Sequence, residues 1–246
     1  MLANLLVMKH RVREQARSYK ININFPKWPA PPPNDPEPGM EPLPFRANRP
    51  LQGMLLWLVL LWVITAIKPF NRHDWFLENL LVFLYGFLLV VSYRRFAFSN
   101  LSYGLFTVFL SLHLVGAHYT YTETPFGFWL QDLFALERNH YDRIVHFSFG
   151  LLIAYPFREL LLRAARMRAS WSYVLTVAVV LAFSNFYEII EAIVAEIVSP
   201  ELGSAYLGTQ GDEWDAQKDA FLAFLGAVTA MGVTWLRVRG AVERLP

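Results

Sequence analysis

The chain has 246 residues, of which 55% are hydrophobic and 16% aromatic, with a mean hydropathy of +0.30. A net charge of +2 is too balanced to argue for a nucleic-acid partner, and the absence of cysteine removes both disulfides and thiolate chemistry. What remains is a helical membrane domain of several spans behind a polar N-terminal tail.

Residues 1–50 read as that tail. MLANLLVMKHRVREQARSYK sets a short apolar run ahead of a basic stretch. The run is too short to span and has no small-residue cleavage pattern, so it is not read as a signal peptide; an amphipathic helix on the inner leaflet is the expectation. FPKWPAPPPNDPEPGMEPLPFRANRP follows and holds ten of the fifteen prolines. Proline lacks the amide donor and clashes with the preceding turn, so this segment is expected to be an extended linker, a spacer before it is a dock for a partner.

A span needs about 20 mostly apolar residues, because the hydrocarbon core is about 30 Å thick and a helix rises about 1.5 Å per residue. Six windows qualify: 51–68, 75–92, 101–119, 142–162, 171–197 and 215–237. The fold class expected is therefore an all-α integral membrane protein, a bundle of about six transmembrane helices over residues 51–240, with 241–246 as a short end. Between the third and fourth spans, WLQDLFALE has the apolar spacing of a short helix lying over a site or on the outer leaflet.

Charge gives the orientation. Seventeen of the twenty-two Lys and Arg residues fall on the side of the N-terminus. The positive-inside rule then places both termini in the cytoplasm. Fourteen of the twenty acids lie on the opposite side. Acids contribute little to topology, so their excess asks for another cause: a site open to the outside, or merely a solvated acidic rim.

Depth sharpens the question. An ionisable group inside a span costs about 2.5–3.5 kcal/mol on insertion scales, and such groups turn to the bundle interior or to a wet cavity. Asp142 opens the fourth span with His146 one turn deeper. Glu188 and Glu191 stand one turn apart near the outer end of the fifth. Asp215 and Asp219 open the sixth, and His113 comes from the third. Four helices thus deliver polar groups to one level. Ala223, Gly226, Ala227 and Ala230 give the sixth span a small-residue surface for close approach.

Carboxylates gathered this way need a cation or protons. Mixed carboxylate and imidazole ligands suit one divalent metal such as Zn²⁺, Mn²⁺ or Fe²⁺; oxygen ligands alone suit Mg²⁺ or Ca²⁺. The expected metal ligands are His146, Glu188, Asp215, Asp219 and His113, and the expected catalytic set is Asp142, His146, Glu188, Asp215 and Asp219. Arg143 and Glu191 are the expected substrate contacts, with Arg143 the cation for a phosphate. The bland readings stand beside these. His146 can serve Asp142 alone, His113 can be an interhelical cross-link, and Glu196, Glu201, Asp212 and Glu213 can be solvated edge charges. Asn185 can orient Glu188 or only tie helices together.

YDRIVHFSFGLLIAYPFRE, NFYEIIEAI and GTQGDEWDAQKDAFLAFLGA resemble the YjdF-type bacterial inner-membrane proteins, themselves similar to the VanZ-like family. The VanZ-like pattern has an acid and a histidine four apart, an acid in the next span, and an acidic start of the last span leading to a glycine. Asp142 and His146 match the first element, Glu188 or Glu191 the second, and Asp215, Asp219 and Gly226 the third. VanZ-like sequences carry asparagine at the place of Asp219, with the glycine nearer to it. The resemblance implies a multi-pass protein of the bacterial inner membrane and, for VanZ-like proteins, a link to envelope lipids and glycopeptide tolerance.

Three functions fit the pattern: a metal-dependent enzyme acting on a lipid or lipid-phosphate headgroup from the bilayer, a cation or proton transporter, or an accessory envelope protein whose polar cluster only locks the bundle. The sequence names no protein partner.

Overall fold

The computed structural model describes residues 44–242, and among them all regular structure is helical. A 3₁₀ turn at Phe45–Ala47 leads into α1 (Arg49–Thr65), α2 (Arg72–Ser92), α3 (Asn100–His118), α4 (Pro125–Phe134), α5 (Tyr141–Arg163), α6 (Ala169–Ile197), α7 (Pro200–Leu207) and α8 (Asp215–Val242). The starts are written in local chemistry. Side chains of Asn48, Asn71, Ser99 and Ser199 accept backbone N–H bonds at the heads of α1, α2, α3 and α7. Prolines occupy the first turns of α1, α4 and α7, where no amide donor is required.

Helices α2, α3, α5, α6 and α8 are long and apolar enough to cross a membrane, and α1, at 17 residues, is a shorter apolar helix. Leu56, Val59, Phe87, Val90, Phe186 and Val228 are exposed on their outer faces. Such faces suit lipid, and the expected all-α multi-span architecture is what the structure has. The boundaries shift where the backbone breaks. α1 stops at Thr65, short of residue 68, and Lys68 takes φ 49° just before Pro69. The end of the expected extended linker is not extended: Phe45–Ala47 turns, and helix begins at Arg49, because Pro50 in a first turn starts a helix rather than breaking it. The short helix expected near WLQDLFALE is α4. Phe126, Trp129, Leu133 and Phe134 are exposed on it. The sequence reading gave α7 no place. The expectations for residues 1–43, the amphipathic segment and most of the proline-rich linker, lie outside the described residues, as do residues 243–246.

The centre of the bundle is the crossing of α5 with α8, flanked by α3 and α6; α1 packs on α3, and α2 on α3 and α7. Two glycines make the crossing. A Cβ on Gly150 would sit 1.9 Å from the carbonyl oxygen of Ala223, and one on Gly226 would sit 2.2 Å from that of Phe147. Ala154, Val180, Ala223, Ala227, Ala230 and Met231 form the buried apolar layer below. The small face expected on the last span is thus the face that meets α5.

Successive spans reverse direction, so the two ends differ. At one end Glu159 takes the N–H of Ser99, both Ser99 and Ser102 hydroxyls and Arg163, which ties α5 to the head of α3. At the other end lie the heads of α5 and α8 and the tails of α3 and α6. All of the sequence candidates are there.

Candidate functional site

His146 stands one turn below Asp142 on α5, with Nε2 3.5 Å from Asp142 Oδ1. The glycine crossing then brings the first full turn of α8 alongside. One ligand atom each from Asp142, His146 and Asp219 fall within 4.8 Å of one another. Glu188 arrives from α6, with Oε1 3.5 Å from His146 Nε2. Asp219 is 2% exposed, and its Oδ1 and the Oε1 of Glu188 have no hydrogen-bond partner. A buried polar atom without a partner is rare and costly, so it asks for an occupant. Two carboxylates and an imidazole this close together, with Glu188 beside them, are of the chemistry that suits a borderline divalent cation.

Asp215 sits elsewhere. It is 4% exposed and held by Arg138 Nη1 at 2.7 Å and Arg143 Nη2 at 3.2 Å. Arg143 also bonds Asp212, and Arg138 donates to the carbonyls of Thr209 and Gly208. Asn139 and Gln210 add a reciprocal pair, 3.1 Å and 2.9 Å. The α4–α5 and α7–α8 connections are therefore latched together at the mouth of the site. Asp212 is a working member of this latch: Lys218 first, then the Trp214 N–H and Arg143, hold its carboxyl down to about 2. His140, at the head of α5, is pushed below the usual imidazole range by burial and then by Arg143 and Arg138. Its Nδ1 lies 3.3 Å from Arg143 Nη1, as an acceptor should.

His113 lies in a neighbouring group. Its Nε2 faces the carbonyl of Glu78 at 3.2 Å and its Nδ1 the hydroxyl of Tyr121 at 2.6 Å. A carbonyl only accepts, so Nε2 carries the proton, Nδ1 accepts from Tyr121, and both nitrogens are spent. Glu78 also accepts from Tyr187 at 3.2 Å, and Glu191 is buried in the field of Glu188 and Glu78. Asn185 is exposed and donates to Leu181 of its own helix, away from Glu188. Glu196 and Glu213 are exposed edge charges, and Tyr141 is buried with its hydroxyl on Leu112.

The sequence reading passed over three polar contributors. Arg138 sits in a loop, where nothing marks it. Asp74 and Glu78, two acids of α2 near its head, are almost fully buried in the interior. The rule that singled out Glu188 applies equally to Glu78, an acid inside an apolar run.

A family model described as "Predicted membrane protein (DUF2238)" matches residues 50–240. The chain belongs to this family. Inner membrane protein YjdF of Escherichia coli (strain K12) is 37% identical over 182 residues, covering 74% of this chain and 87% of the relative. No solved structure matches. As a family member it is a multi-pass membrane protein, homologous to an inner-membrane protein, and the match takes in all the helices that build the site.

Proposed function

We propose that Asp142, His146 and Asp219 hold one divalent cation, with Glu188 as its fourth neighbour, and that this centre acts on the phosphorylated headgroup of a membrane lipid. The observation that carries the reading is the meeting of three ligand atoms from two helices around a buried carboxylate oxygen that nothing else satisfies. A cation there would polarise a phosphoryl oxygen or activate a water. Glu188 stands where a base for that water is needed, with a free oxygen. Arg143 keeps a buried Nε–H without a partner beside the group, a donor suited to a phosphate oxygen. Asp215 then acts through Arg138 and Arg143, holding them in place, and His113 supports the wall through Tyr121.

The end bearing these groups is read as the periplasmic one, with both termini in the cytoplasm, on the distribution of Lys and Arg. The transport reading finds less support. Between this site and Glu159 the core layer is built on Ala154, Val180, Ala223, Ala227 and Met231, and the polar side chains that α6 buries there, Ser184 and Thr176, are uncharged hydroxyls.

Elemental analysis of the purified protein tests the reading, alongside mass spectrometry of a bacterial lipid extract incubated with it. One cation per chain is expected, lost in Asp219→Asn and His146→Ala, together with a change in a phospholipid species that depends on the cation. A cation-free native protein, or a cation retained in both variants, contradicts the reading.

A further inference from the structure

A cavity of about 70 Å³ adjoins the candidate site, and Asp142 and His146 are part of its wall. Most of the remaining wall is apolar, with Leu81 and Val82 from α2, Phe109 and Leu110 from α3, Phe149 from α5 and Phe183 from α6; His113, Tyr121, Ser184 and the Tyr85 and Tyr187 rings also line it. A volume of that kind takes about five water-sized groups, yet the wall offers water little away from Asp142 and His146: His113 and Tyr121 bond each other, Tyr187 bonds Glu78, and the Ser184 hydroxyl and Tyr85 are the polar groups left. A run of methylenes is of matching width and chemistry. The helices around the cavity explain how a chain reaches it. α2 packs on α3 and α7, but not along α6, to which it is joined by the Tyr187–Glu78 bond near the polar end. Leu80, Phe83 and Leu84 of α2 and Phe186 of α6 are exposed, side chains that suit lipid.

We infer that this cavity is the slot for one hydrocarbon chain of the lipid whose headgroup the carboxylate–imidazole centre takes, entering sideways from the bilayer between α2 and α6. The inference rests on the proposed headgroup chemistry for the polar end, and adds that the substrate is an amphiphile bound by its chain as well. Three features converge: a largely apolar wall, a polar head shared with the candidate ligands, and two bordering helices, α2 and α6, that are not packed along each other and carry exposed apolar side chains. A soluble phosphate ester would use the second of these alone. A lipid uses all three.

The test is photocrosslinking of the full-length protein in nanodiscs of phosphatidylethanolamine and phosphatidylglycerol doped with a phosphatidic acid that carries a diazirine midway along one chain. Adducts are mapped by peptide mass spectrometry. The expected result is enrichment on Leu81, Val82, Phe109 and Phe183 over Val90 and Val91 on the lipid-facing side of α2. Leu110→Trp, which fills the slot, should lower that enrichment by about tenfold, the loss that follows when about two methylenes give up their burial. Val82→Phe fills it from the opposite wall and serves if the first variant does not fold. Adducts spread evenly over the outer faces, or enrichment unmoved by either filled variant, overturn the inference. The two readings fail separately. Slot adducts that persist unchanged in Asp219→Asn and after chelation, in a protein that binds no cation, keep the slot and remove the metal. A stoichiometric cation with evenly spread adducts does the reverse.

Discussion

At the scale of single residues, the polar groups of this molecule divide into those that satisfy one another and those that do not. Glu159 belongs to the first kind: four donors converge on its carboxylate. Glu159→Ala strands the Ser99 N–H and leaves Arg163 without its carboxylate partner, so it should destabilise the protein by about 3 kcal/mol in a reversible unfolding titration. Asp212 is also satisfied. Its carboxyl, drawn down from 3.8 to about 2 chiefly by Lys218, favours the folded latch wherever it is ionised. A depressed acid contributes above its unfolded pKa and loses that contribution as pH falls through the folded one. Hydrogen exchange across residues 208–215, corrected for intrinsic rates, should thus be flat from pH 7 to pH 5 and lose protection only between about pH 4 and pH 2. Asp212→Asn should show the loosened loop already at neutral pH.

Asp219 and Glu188 belong to the second kind, and here the sequence was legible in part. Helical spacing pairs Asp142 with His146 and Asp215 with Asp219, and span depth puts all of them at one level. It does not say which pair members meet across helices. That depends on the rotation of α8 about its axis, set by Gly226 against Phe147, and it turns Asp219 to His146 while Asp215 meets the arginines. Arg138 was invisible because a loop has no period from which to read its direction.

At the scale of the helix pair, the α5–α8 crossing is the joint that makes the site. A side chain on Gly150 or Gly226 meets backbone atoms of the opposite helix, which cannot swing aside. Gly150→Ala and Gly226→Ala should each cost about 1–3 kcal/mol or more and weaken cation binding with it. Gly86→Ala and Gly232→Ala have open space around the new methyl and should be neutral, or stabilising by up to about 1 kcal/mol through helix propensity. Thermal unfolding in detergent, run beside elemental analysis, separates the two classes. The helices themselves were plain in the sequence, since a long apolar run in lipid has few alternatives to a helix. The places that escaped are short and governed by caps: the turn at Phe45–Ala47, the early stop of α1, and α7, whose eight residues begin with a Ser-Pro start that carries little apolar signal.

For the whole molecule, charge asymmetry, span count and site position form one account. If both termini are cytoplasmic, the latch loops and the mouth of the site face the periplasm. The chain has no cysteine of its own, so single-cysteine variants report this cleanly. A cysteine replacing Gly211 should react with a membrane-impermeant maleimide in intact cells, and one replacing Arg166 only after permeabilisation. The reverse pattern would turn the site inward. Whether Asp142, His146 and Asp219 share one ion is read directly by pulsed electron paramagnetic resonance of the Mn²⁺-loaded protein. It should show nitrogen coupling from one directly bound imidazole, gone in His146→Gln and intact in His113→Gln. Mn²⁺ without nitrogen coupling, or coupling that survives His146→Gln, would contradict the shared ion.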